Sequence, residues 1–263
     1  MNNRIERCLD NLKAQNQKAL VTFITAGYGG YETTEEAVLE MEKSGADIIE
    51  IGVPFSDPIA EGPVIQKASL MSLNSGTTLK GIFEMVKRIR MKTDIPLLLM
   101  MYINSIFRYG TEKFFTQCRE CEIDGVIVPD LPYEEYDEIS DEAEKNNVIP
   151  ISLVTPVSFE RTGKIVRNAK GFLYCVSSTG VTGVRENMST DFSAFIEKIK
   201  NYSDIPDFLG FGISTPEQVA EIKKYFDGII VGSAVVRLID ENNREKSVSE
   251  IKALTTSLRK ALD

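Results

Sequence analysis

Three observations predict a single-domain (β/α)8 barrel of the TIM type, an α/β fold spanning residues 1–263. Eight short apolar, β-branched runs recur along the chain, each is followed by a stretch with amphipathic helical spacing, and no Pro/Gly/Ser-rich or low-complexity segment divides them. Eight strands each followed by a helix is the count that closes a barrel, and 263 residues is an ordinary length for one. An open doubly wound sheet competes, but it needs fewer strands and a glycine-rich turn after the first. Gly27-Tyr28-Gly29-Gly30 lacks the full spacing of that turn.

Taken in order, the first strand is Leu20–Ala26, followed by a helix over Thr33–Ser44 with Ala37, Val38 and Met41 on one face. The second strand is Asp47–Gly52. A proline-rich loop separates it from a helix at Leu79–Met91. The third pair is Pro96–Tyr102 with Glu112–Glu120, and the fourth is Gly125–Asp130 with Tyr133–Lys145, whose start is signalled by Asp130-Leu131-Pro132-Tyr133. Then come Val148–Val154 with Ser158–Asn168, and Gly171–Val176 with Phe192–Lys200. The seventh strand, Asp207–Ile213, leads through Ser214-Thr215-Pro216-Glu217 into Pro216–Tyr225, and the eighth, Gly228–Ala234, precedes Val248–Leu262.

Composition narrows the chemistry. The charge of −9, from 39 acidic and 30 basic residues, disfavours nucleic acid or an anionic membrane surface as the main partner, so any anion site must be local. The longest apolar runs are too short to span a bilayer, and no apolar segment follows the charged N-terminus, which leads us to expect a cytoplasmic protein. Cys118-Arg119-Glu120-Cys121 stands alone as a C-x-x-C, and we expect ordinary reduced thiols. The chain has no histidine. Acid–base work at neutral pH therefore falls to carboxylates, lysines, tyrosines or cysteines, and imidazole-ligated metal sites are excluded. Nor does a lysine lie within or at the C-terminal end of any predicted strand, which counts against a Schiff-base aldolase.

Active sites of such barrels sit at the C-terminal ends of the strands. Glu50 is a lone carboxylate inside the β-branched second strand. Pointing into the barrel mouth, it would acquire a raised pKa and serve as a general acid/base; a structural carboxylate paired with a cation is the alternative. The following loop, Val53 to Pro63, carries three prolines together with Ser56, Asp57 and Glu61, and is stiff enough to hold a side chain over a site. After the sixth strand, Ser177 to Gly183 has the small-residue composition of a lid. Gly210-Phe211-Gly212-Ile213-Ser214 and Gly232-Ser233-Ala234 follow strands seven and eight, where this fold commonly binds phosphate through backbone N–H groups.

Four motifs in this order resemble the α subunit of tryptophan synthase: Glu50-Ile51-Gly52-Val53-Pro54-Phe55-Ser56-Asp57-Pro58, Gly62-Pro63-Val64-Ile65-Gln66, Gly180-Val181-Thr182-Gly183 and Gly210-Phe211-Gly212-Ile213-Ser214. The resemblance runs over essentially the whole chain. It implies a lyase that cleaves indole-3-glycerol phosphate to indole and glyceraldehyde 3-phosphate without a cofactor. Glu50 would move protons, and Glu61 would hydrogen-bond the indole N–H. Thr182 would lock the lid, while Gly183, Gly212, Ile213, Gly232 and Ser233 would hold the phosphate. Phe23, Met100, Tyr102, Tyr174 and Phe211 match the indole pocket. The family usually has aspartate where this chain has Glu61, which leaves open whether Asp57 shares that role. The implied partner is a β subunit bearing pyridoxal phosphate, in an α2β2 assembly. A stand-alone indole-releasing lyase, or a catalytically weak subunit that binds the phosphate ligand and regulates its partner, are the competing expectations.

Overall fold

The computed structural model describes residues 3–155, 159–176, 192–210 and 212–263. Its sheet contains β1 (Ala19–Thr25), β2 (Ile48–Gly52), β3 (Leu97–Met100), β4 (Gly125–Ile127), β5 (Ile149–Pro150), β6 (Ser152–Val154), β7 (Leu173–Val176), β8 (Asp207–Gly210) and β9 (Gly228–Val231). All pairings are parallel, in the order β5-β4-β3-β2-β1-β9-β8-β7-β6. The two ends of that order, β5 and β6, are halves of one strand interrupted at Ile151, whose N–H donates to the Val126 carbonyl at 2.8 Å. Nine segments therefore make the eight strands of a ring that closes on itself.

Each predicted strand is present; those predicted to start at Pro96, Gly125, Asp207 and Gly228 end two or three residues early, and the one predicted from Gly171 starts two residues late, at Leu173. In β1 and β2 every residue is buried, because one face meets the barrel interior and the other the helical layer. That double burial explains the continuous apolar runs in the sequence. The helix Leu79–Arg90 shows how the outer layer is specified. Thr78 caps it by accepting from Gly81 N–H, and Ile82, Phe83, Met85, Val86 and Ile89 are buried beneath it. Each such side chain contributes roughly 1.5–3 kcal/mol of burial free energy.

Among the described residues, four helices appear where none was predicted: Arg4–Ala14, Pro63–Asn74, Ile103–Tyr109 and the short Ser233–Val236, which takes the end of the predicted eighth strand. The first opens with a capping box between Asn3 and Glu6, and Asn3 Nδ2 also donates to the carbonyls of Asp124 and Asn147. This ties the N-terminal helix to the N-terminal ends of the strands. The second begins at Pro63, so the proline-rich loop ends in a helix rather than running on. A further difference concerns Asp130. It does not open the helix that follows it; a 3-10 turn at Tyr133–Glu135 precedes Asp137–Lys145, and Asp130 Oδ1 instead accepts from Ile103 N–H at 2.9 Å. By contrast, a helix does start at Ser214-Thr215-Pro216-Glu217, with Pro216 as its first residue and a capping box between Thr215 and Gln218. Among the described residues, no helix is long and apolar enough to cross a membrane.

Candidate active site

Parallel register places Glu50 on β2 beside Phe23 on β1 and Leu98 on β3. Glu50 is 1% exposed and faces the barrel interior, lining one cavity with Phe23, Glu61, Ile65, Met100, Tyr174, Gly212, Ile213, Ile230, Gly232 and Ser233. Neither carboxylate oxygen has a hydrogen-bond partner among the described residues. A structural carboxylate would be paired with a cation, and among the described residues this one has no such partner. Burial, reinforced by the charge of Glu61, pushes the Glu50 carboxyl up to about 8. At neutral pH it is predominantly protonated, yet close enough to its transition to exchange a proton.

Two aromatic rings define the walls near Glu50, and each lies on a glycine of the neighbouring strand. A Cβ on Gly52 would stand 2.4 Å from Phe23 Cζ, and one on Gly210 would stand 2.2 Å from Tyr174 Cε1. The bare backbone at these two positions leaves room for the rings to lie flat against it. Burial, with the charges of Glu50 and Glu61 adding, holds the Tyr174 hydroxyl well above its ordinary range. Tyr174 therefore stays a neutral phenol beside both carboxyl groups.

Glu61 reaches the cavity from the loop after β2 and is 7% exposed. Burial raises its pKa, opposed by the hydrogen bond from Tyr102 and by backbone N–H groups of Glu61 and Ala60. Asp57, the other acid on this loop, is exposed, pairs with the Ser56 hydroxyl and does not line the cavity. The longer Glu61 thus occupies the position on its own. Gln66 Nε2 steadies it from the helix side by donating to the Glu61 carbonyl at 2.9 Å.

At the other end of the cavity lie Gly212, Ile213, Gly232 and Ser233. Gly212 has φ +85°, a conformation that glycine adopts freely, and a Cβ there would meet nothing within 4 Å. Its requirement is conformational rather than one of space. Gly232 caps the short helix Ser233–Val236, whose first N–H groups have no partner within the helix.

Phe23, Met100 and Tyr174 line the cavity together with the two glutamates. Tyr102 does not. Its ring stacks on Phe55, with centroids 4.7 Å apart, and its hydroxyl engages Glu61 and the loop backbone. Thr182, Gly183 and Phe211 lie outside the described residues. Ile65 and Ile230 are cavity residues that the sequence reading missed. Ile65 stands in the quoted Gly62-Pro63-Val64-Ile65-Gln66 motif, and recognising Pro63 as the first residue of a helix would have turned attention to it.

Residues 9–263 match the family model described as tryptophan synthase alpha chain. The chain is 47% identical over 261 residues to the tryptophan synthase alpha chain of Thermoanaerobacter sp. (strain X514), covering 99% of this chain and 100% of the relative. Against that of Clostridium kluyveri (strain ATCC 8527) the identity is 44% over 262 residues, with 99% and 100% covered. Among solved structures, the tryptophan synthase alpha chain of Legionella pneumophila superposes with a TM-score of 0.91 at 37% identity, covering 100% of this chain and 98% of that one. A structure of Mycobacterium tuberculosis tryptophan synthase matches with a TM-score of 0.90 at 32% identity, with 100% and 99% covered. With the barrel, the cavity and this full-length likeness in agreement, the chain belongs to the tryptophan synthase alpha chain family.

Proposed function

We propose that this chain is a carbon–carbon lyase that converts indole-3-glycerol phosphate to indole and glyceraldehyde 3-phosphate. One observation carries the reading: a fully buried glutamate without a hydrogen-bond partner among the described residues shares an aromatic-walled cavity with a second carboxylate. The Phe23 and Tyr174 rings in the cavity lining suit a flat heterocycle, and backbone N–H groups at Gly212, Ile213, Gly232 and Ser233 suit the phosphate at the far end.

In the reaction, the carboxylic acid of Glu50 gives its proton to C3 of the indole ring. The ring becomes an N-protonated indolenine, and the Glu61 carboxylate stabilises that cation by accepting a hydrogen bond from N1–H. Glu50, now a carboxylate, removes the proton of the side-chain hydroxyl next to the ring. The C–C bond breaks, its electron pair returns to the ring to give indole, and the hydroxyl carbon becomes the aldehyde of glyceraldehyde 3-phosphate. Glu50 ends protonated, so a single residue completes the cycle. A group near its own transition at the working pH suits both transfers.

Two structural neighbours are described as tryptophan synthase rather than as an alpha chain alone, one of them in an aminoacrylate-bound form. They support a partner β subunit for this chain, which we infer to assemble as α2β2 and to carry the pyridoxal phosphate. Glu61 inside the cavity favours an active lyase over a purely regulatory subunit. Indole release by the isolated chain, and then with a β subunit added, tests the reading. Activation by the partner supports it, strong activity alone supports a stand-alone lyase, and no cleavage in either condition overturns both.

A further inference from the structure

We propose that Tyr102 is a positioning residue, whose hydroxyl ties the Glu61 carboxylate to the backbone of its own loop so that both meet the substrate as one fixed unit. The role of Glu61 toward the substrate rests on the lyase reading above; the tie itself rests on geometry.

A tyrosine hydroxyl has one proton to give and two lone pairs to receive with. The N–H groups of Ile59 and Ala60 donate to the Tyr102 hydroxyl at 2.8 and 2.9 Å, which occupies both lone pairs. The proton then has one remaining destination, and Glu61 Oε2 accepts it. The orientation of the phenol is thereby dictated by the loop backbone. Oε2 of Glu61 is therefore engaged before substrate arrives.

The tie has a firm base. Tyr102 is 3% exposed, and its ring stacks on Phe55 of the same loop at an interplanar angle of 19°. Next in the chain, Ile103 N–H is held by Asp130 Oδ1, and two residues before, the Met100 carbonyl accepts from Val53 N–H at 2.8 Å. The end of β3 thus grips the loop after β2 at its start, at Phe55, at Ile59 and Ala60, and at Glu61. Ile59 itself is 77% exposed, so without this hydroxyl its N–H would lie in a solvent-facing stretch. Relative to aspartate, Glu61 has one more rotatable bond, and that freedom is what the Tyr102 hydroxyl removes.

The test compares Tyr102→Phe, Glu61→Gln and the double variant, with the β subunit present. Steady-state kinetics on indole-3-glycerol phosphate are paired with amide hydrogen exchange at Ile59 and Ala60. We expect Tyr102→Phe to lower kcat by about 10- to 100-fold while KM changes by less than about threefold. In the Glu61→Gln background the same change should cost less than about threefold more, because the two residues act in series. Exchange at Ile59 and Ala60 should quicken by about tenfold or more in Tyr102→Phe and stay put in Glu61→Gln. Equal losses in both backgrounds, or unchanged exchange, overturn the proposal. If the unmodified protein cleaves nothing, the lyase reading fails, and the exchange rates still decide the tie. Should Tyr102→Phe fold poorly, 3-fluorotyrosine at 102 replaces it: its more acidic phenol should move the acid limb of the kcat profile to lower pH, and a limb that does not move overturns the proposal.

Discussion

The ring of Phe23 lies across the backbone of Gly52 so closely that a Cβ at Gly52 would stand 2.4 Å from Cζ and 2.6 Å from Cε2. Gly52→Ala must therefore push the ring, and Phe23 also flanks Gly232, where a Cβ would stand 3.5 Å from it. Overpacking of this kind costs about 1–3 kcal/mol. Since Phe23 lines the cavity, the displaced ring should raise KM for the indole-bearing substrate by about tenfold. Adding Phe23→Leu to Gly52→Ala should recover part of that loss, although Phe23→Leu alone weakens binding. Steady-state kinetics on the three variants check this, and a double variant worse than Gly52→Ala would contradict it.

Burial makes Glu50 a source of instability that depends on pH. Its folded pKa is raised from the ordinary 4.5 to about 8, so between those values the folded chain holds a proton that the unfolded chain has released. Stability then falls as pH rises through this window, by about 1.4 kcal/mol per pH unit from this group, and levels off above pH 8. Glu50→Gln removes the ionisation. The variant should match the native chain near pH 5 and exceed it by a few kcal/mol at pH 8.5, while losing turnover. Urea midpoints at the two pH values provide the measurement.

Glu61 is the acid that reaches the cavity, so Glu61→Gln should lower kcat by about 10²-fold or more and leave the affinity for a phosphate-bearing ligand within a few-fold. Asp57→Asn, at an exposed position outside the cavity, should leave the acid limb of the kcat profile in place. A large shift of that limb would show that Asp57 shares the role.

The barrel and Glu50 were legible because they are written in local pattern, whereas Glu61 was singled out from the acids of its loop by the family resemblance. Doubly buried strands read as continuous apolar runs, and a carboxylate inside such a run, as in Ile48-Ile49-Glu50-Ile51, has few places to go. Helix Arg4–Ala14 was equally written in its Asn3–Glu6 capping box but is short and highly charged at its start. What the sequence cannot carry is the direction of a side chain fixed by residues far along the chain. The family resemblance set Tyr102 among the indole-pocket residues. Its hydroxyl is set by Ile59, Ala60 and Glu61, more than forty residues earlier, and no periodicity links those positions.

The opposite end of the barrel is built for stability, and Arg90 tests that separation. Arg90 and Asp124 are both almost fully buried, with Arg90 Nη2 2.9 Å from Asp124 Oδ2, which also accepts from Leu97 N–H at 2.9 Å. Arg4 contributes a second cation to the same carboxylate, and Arg90 Nη1 also donates to the Ile95 carbonyl at 2.7 Å. Burial pushes Asp124 up while Arg90 and Arg4 pull it back, so losing Arg90 would raise it further. Arg90→Met should therefore destabilise the fold by about 3–5 kcal/mol at pH 7, chiefly by leaving a buried charge short of its partner. A carboxyl raised in the folded state is a liability only where the unfolded chain is ionised, so the cost should shrink as pH falls below about 4. Urea melts at pH 7 and pH 4 read the difference. Asp124 and Leu97 stand at the N-terminal ends of β4 and β3, away from the cavity, so kcat per folded molecule should stay unchanged.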